Sequence, residues 1–175
     1  MISKIKISSA KLIEAADVFG VIASLIFVGM QLRLDRQLAI AGQFQSRTGL
    51  RIQQETTFLD NSDFIQDRAS AWEKKRPDWW NIEIESIFAE SYESMSEMTR
   101  DHRTMIIFAV LMENNYYQYR QGFFGVGTWL KMRAALQNTL RNPIRRSVYK
   151  GFGNPDFSRL LDTLTEELDI ENNQL

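Results

Sequence analysis

Between Asp17 and Arg33 the chain carries fifteen consecutive residues without a charge, VFGVIASLIFVGMQL. As a helix they span about 22 Å. A bilayer's hydrocarbon core is about 30 Å thick and takes roughly 20 residues. Ala15, Ala16 and Leu34 lengthen the apolar run, which puts Asp17 and Arg33 near the two interfaces, where arginine can reach water. Val18, Phe19, Val21, Ile22, Leu25, Ile26, Phe27, Val28 and Met30 fall on every side of such a helix, whereas an amphipathic core helix leaves a polar face. Ser24 interrupts the run, and a serine can bond back to its own helix. Two other readings compete. A secretion signal would use Lys4, Lys6 and Lys11 and the small-residue site Ala39-Ile40-Ala41. Glu14 and Asp17 spoil its basic region, however, and Arg33, Asp35 and Arg36 separate run from site. A buried helix of a soluble protein fits the short length. The all-round apolar surface favours a single membrane span.

Ala16, Gly20 and Ser24 recur every four positions, a small-xxx-small stripe that lets helices approach closely in lipid. It is the expected contact of a homo-oligomer. Orientation is poorly determined, because Lys4, Lys6 and Lys11 on one flank nearly balance Arg33, Arg36, Arg47 and Arg51 on the other. The absence of cysteine and of an export signal tilts the expectation toward a cytoplasmic C-terminal domain. The start, ISKIKIS, alternates basic and apolar residues and suits either an anionic lipid surface or plain solvent.

Beyond Arg33 the pattern is helical throughout, with no convincing strand or repeat. Leu34, Leu38, Ala41, Gln45, Thr48 and Ile52 follow a 4-3 spacing, a weak coiled-coil-like seam with two polar positions. Asn61 or Ser62 caps a new helix that ends before Pro77. Trp79 and Trp80 are packing residues, or interfacial anchors if the domain lies against lipid. Ser94 and Glu97 have capping-box spacing. MIIFAVLM, too short to span, reads as the central core helix, and Gly122 closes it. Thr128 is the expected cap of the next helix, with Leu130, Ala134, Leu136 and Leu140 on its apolar face. Asn142-Pro143 and Asn154-Pro155 each start a further helix. The expected divisions are 1–34 as N-terminal segment and anchor, 35–170 as a helical domain and 171–175 as a polar tail. The fold class is all-α, a long transmembrane helix continuing into a helical bundle.

VIASLIFVGMQLRLDRQLA and LMENNYYQYRQGFFGVGTWLKMRAALQNTLRNPIRRSVY…PDFSRLLD together resemble a widespread group of small bacterial membrane proteins of unknown function. These carry an apolar N-terminal helix ending in QLR or QIR and a helical C-terminal half. The resemblance implies an anchored helical fold at the bacterial inner membrane and implies no activity. Its middle, from about Ile52 to Arg103, is unmatched.

A net charge of −1 gives no reason to expect nucleic acid. No cysteine and one histidine exclude thiolate metal sites and leave little for metal or triad chemistry; no cofactor or metal is expected. Glu113, followed by Tyr117 and Arg120, reads first as a buried acid satisfied by those two residues. Its functional alternative is a ligand pocket of Glu113, Asn114, Tyr117 and Arg120. Arg141, Arg145, Arg146 and Lys150 are a solvated face or an anionic lipid or ligand contact. His102, amid charges, reads as exposed, and the aromatics Tyr116, Tyr117, Tyr119, Phe123, Phe124 and Trp129 as core. The expected function is a membrane-anchored, non-enzymatic role in interaction, scaffolding or sensing. Its partners are the lipid bilayer, further copies of the chain and an unidentified protein. The rival is an oligomeric pore with Ser24 and Gln31 on its lining face. A small enzymatic or ligand-binding domain centred on Glu113 is third.

Overall fold

The computed structural model describes the backbone of residues 9–172 and the side chains of 16–171. The basic start at Lys4 and Lys6, the side chain of Lys11 and the last three residues of the expected tail lie outside them. Among the described residues there are seven helices and no strand: α1 (Ser9–Asp60), α2 (Ser62–Lys74), α3 (Ile82–Ser91), α4 (Met95–Arg120), α5 (Val126–Leu140), α6 (Pro143–Tyr149) and α7 (Pro155–Asn172). Glu171 and Asn172, expected in the tail, are helical. The chain divides into two compact units, Met1–Gly42 and Gln43–Leu175. This division and the boundary expected after residue 34 both fall within α1.

In the first unit every large apolar side chain from Val18 to Leu32 is exposed, between 47% for Ile22 and 72% for Phe19. α1 is long and apolar enough to cross a membrane. Leu34 and Leu38 of the expected seam are also exposed.

In the second unit the end of α1 buries Thr48 and Glu55, with Phe44, Ile52, Phe58 and Leu59 partly buried. Thr48 and Ile52 lie on the expected seam, as does the buried Ala41, but Gln45 is exposed and Phe44 takes its place, because an aromatic gains more from burial than an amide. Glu55, off the expected seam, is buried against Arg103 at 2.8 Å. The Arg103 guanidinium lies 5.2 and 5.1 Å over Phe58 and Phe64, which stack at 4.3 Å.

Local chemistry sets the helix starts. Asn61, Asn81, Ser94 and Asn142 each accept, through their side chains, the backbone N–H three residues on. Asn154 accepts from both Asp156 and Phe157. Glu97 reaches back to the N–H of Glu93, one residue beyond the usual capping box. α4 ends in a Schellman motif: Gly122 has φ +82°, and Phe123 and Gly122 donate to Gln118 and Tyr119 carbonyls.

α4 is the central element. Its Met98, Met105 and Ala109 pack with Ile84 of α3, Leu136 and Leu140 of α5, Ile144 and Tyr149 of α6, and Phe157, Leu161, Leu164 and Leu168 of α7. The α7 residues follow 4-3-4 spacing, one stripe facing the core. α2 applies Ala69 and Trp72 to the same cluster. Two readings of α5 are corrected. Its cap is Gly125, with no side-chain bond, so Thr128 lies inside the helix. Its buried face carries Trp129, Leu136 and Leu140, while Leu130 and Ala134 are exposed. Tyr119 stacks on Trp129 at 5.0 Å and Tyr116 meets it at 5.4 Å; these α4 rings select the tryptophan face of α5 over the leucine–alanine one. Phe123, expected in the core, is 37% exposed. Phe157 is fully buried, and Phe157→Ala is expected to lower unfolding free energy by about 3–5 kcal/mol, read by denaturant titration of the full chain in detergent.

Candidate functional site

Glu113 is nearly buried, 9% exposed. Its Oε1 accepts from the backbone N–H of Asn154 at 2.8 Å and from the Asn154 side-chain amide at 2.9 Å. Asn154 is also the cap of α7, so the acid of α4 grips the residue that starts α7. The approach requires glycine beforehand: Gly153 has φ +82°, and a Cβ there would stand 2.9 Å from Phe157 Cδ1 and 3.1 Å from the Glu113 carboxyl.

The residues expected around Glu113 are dispersed. Arg120 donates to the Tyr116 hydroxyl at 3.0 Å, not to Glu113. Tyr117 stacks on Phe44 at 4.2 Å. Asn114 Oδ1 is buried with no hydrogen-bond partner among the described residues. The acid is therefore satisfied by Asn154 rather than by Arg120 and Tyr117. Tyr117 and Arg120 do line one depression with Tyr116, Gln121, Asn154 and Asp156, but its volume is about 130 Å³, below the roughly 300 Å³ where small-molecule pockets begin. Asp156 is the acid on that depression, and it is paired with Arg159.

The basic cluster also divides. Arg141 pairs with Glu171 at 2.8 Å. Arg146 pairs with Asp169 at 2.8 Å and donates to the Leu140 carbonyl. Arg141, Arg146 and Lys150 share an open groove of about 700 Å³ that also presents Glu83, Asp162 and Glu166, so its lining has both signs of charge. Arg145 is absent from the groove; its Nε is buried without a partner among the described residues. On the first unit, Ala16, Gly20 and Ser24 share a shallow groove with Val21, Leu25 and Val28. The Ser24 hydroxyl donates to the Gly20 carbonyl at 2.8 Å. Among the described residues no cluster of acids and histidine could hold a metal ion.

Sequence reasoning missed a cluster around His102. The imidazole is part-buried, not exposed. It stacks on Trp79 at 5.2 Å and meets Trp72 edge-on at 5.0 Å. Trp79 and Trp80 thus serve as packing residues. A second neighbour set holds Trp80: Arg76 lies 4.6 Å over its ring and pairs with Glu85, which accepts from the Trp80 indole. The Arg76 guanidinium and that indole hold the Glu85 carboxyl below the usual range. Burial, then the Arg103 and Arg68 charges, push His102 down to about 4. The TRDHRT segment reads as solvated because its flanking charges are local, whereas the two indoles come from other elements.

Three outcomes follow from this geometry. Glu113→Ala leaves two Asn154 donors unpaired and should cost about 1–3 kcal/mol, whereas Glu113→Gln keeps an acceptor oxygen and should cost less. Gly153→Ala, strained by its positive φ and by contact, should cost about 2 kcal/mol or more; thermal unfolding reads all three variants. Because the folded His102 value lies below the ordinary 6.5, its contribution is fully present above pH 6.5 and is lost as pH falls toward 4. Subtracting the stability profile of His102→Phe from that of the parent should reveal a loss of up to about 3 kcal/mol across that window. Compared with known proteins, the chain matches no family model, no curated protein and no solved structure.

Proposed function

We propose that the chain is a single-pass membrane protein of the bacterial inner membrane, with its second unit in the cytoplasm. It acts without catalysis, in interaction, scaffolding or sensing, as a homo-oligomer. One observation carries the reading: ten large apolar side chains from Val18 to Leu32 are all about half or more exposed. Moving each out of water contributes on the order of 1 kcal/mol or more, so the set together rivals the stability of a whole domain. A bilayer removes that cost for the residues on every side of the helix at once. Resemblance to small anchored bacterial proteins agrees with this assignment. The Ala16, Gly20 and Ser24 stripe supports self-association, since small residues let helices approach closely.

The pore reading has less support, because the Ser24 hydroxyl is spent on its own helix. The pocket reading is weakened by the Glu113–Asn154 bonds, which favour a structural acid.

Alkaline carbonate extraction tests the anchor. The chain should stay with the membrane and need detergent for release; a soluble monomer without detergent would sink the reading. A Cβ at Gly20 meets nothing within 4 Å in its own chain, so Gly20→Ile should leave the fold intact. A lower copy number in detergent, measured by light scattering, is the expected result.

A further inference from the structure

The exposed face of α5 has an unusual setting. Val126 and Leu130, one turn apart, are 62% and 56% exposed, and Ala134 continues the same stripe. Phe123 precedes them in the connecting turn, 37% exposed. Two cations flank this short apolar strip, Arg120 before it and Lys131 within it; both are exposed and neither is in an ion pair among the described residues. The strip is held in place rather than loose. The Schellman turn at Gly122 ends α4, and Trp129, on the adjoining buried face of α5, is stacked on Tyr119 and packed on Tyr116.

Charge along the chain is strongly asymmetric here. From Asn114 to Pro155 there is no aspartate or glutamate, while Arg120, Lys131, Arg133, Arg141, Arg145, Arg146 and Lys150 all fall in that interval. Three of the seven are neutralised by acids of α7: Arg133 by Glu167, Arg141 by Glu171 and Arg146 by Asp169. Arg120 and Lys131, the two beside the apolar strip, keep their charge. Arg120 feels the charge of Asp156, which is itself paired with Arg159.

We infer that this α4–α5 elbow is a contact for an anionic bilayer surface, with Phe123, Val126 and Leu130 entering the headgroup boundary and Arg120 and Lys131 meeting lipid phosphates. Charge complementarity selects the partner, since an apolar strip with cations and no acid of its own segment suits a negative surface. Size argues against a second copy. A stable protein interface engages about 20–30 residues a side, and the strip offers a handful. Interfacial insertion needs only a few apolar side chains, buried about 5–10 Å deep.

The inference takes the membrane-anchored reading as its premise, so the test separates the two. The chain has no cysteine, and Leu130→Cys therefore accepts one environment-sensitive fluorophore (NBD) at one place; Glu90→Cys, exposed on α3, gives the aqueous reference. Full-length labelled protein is placed in vesicles of phosphatidylcholine alone or with phosphatidylglycerol. In the anionic vesicles the residue-130 label should shift its emission to the blue and be quenched by brominated lipid, while the residue-90 label does neither. The shift should disappear in the Arg120→Glu/Lys131→Glu double variant. It should also diminish in about 1 M salt, where the screening length falls from about 8 Å to about 3 Å. A residue-130 label that stays aqueous in anionic vesicles, with the protein still carbonate-resistant, overturns the elbow contact alone. Efficient oxidative cross-linking of unlabelled Leu130→Cys copies, matching the conditions of the shift, overturns it in favour of a second copy. Loss of the protein from the vesicles in carbonate brings down the premise with it.

Discussion

The junction of Glu113, Gly153 and Asn154 fixes where α7 begins, and much of the second unit follows from that point. One carboxylate oxygen takes both the main-chain and side-chain donors of Asn154, while the other end of that side chain accepts from the first turn of α7. A helix start held from two directions cannot slide. With its register set, Phe157, Leu161, Leu164 and Leu168 all face the core, and Glu167, Asp169 and Glu171 meet Arg133, Arg146 and Arg141. Those surface pairs contribute little individually. Their value lies in agreement with a register decided elsewhere.

A buried acid is expensive unless its lone pairs are used. Here the expense is limited by two charge-assisted bonds to one residue and by retaining slight exposure. The same logic governs Glu55 and Arg103, which are both 11% exposed at the side chain and paired at 2.8 Å, with the guanidinium lying over two stacked phenylalanines. Both junctions join residues more than forty positions apart. They tie the end of α1 and the start of α7 to α4, the helix at the centre of the core.

What could be read along the chain was what is local. Asn61, Ser94, Asn142 and Asn154 announce helix starts because a cap bonds to a donor two or three residues away, and Gly122 announces a stop because only a left-handed residue closes that turn. The apolar run at Val18–Leu32 is legible for the same reason. What escaped depends on distant partners. α5 carries apolar residues on two faces, and only the rings of Tyr116 and Tyr119 decide that Trp129 turns inward and Leu130 outward. Glu113 was recognisable as a buried acid, but its partner lies 41 positions on, past two further helices. His102 looked solvated among its charged neighbours, and the indoles that enclose it belong to other segments.

The aromatic packing has an optical consequence. The four tryptophans divide three to one: Trp72, Trp79 and Trp80 gather beside His102, and Trp129 sits apart against Tyr116 and Tyr119. A charged imidazole quenches an adjacent indole more strongly than a neutral one. Intrinsic emission from the unlabelled chain is thus two built-in signals, one tuned to the protonation of His102 and the other to the seating of α5 on α4.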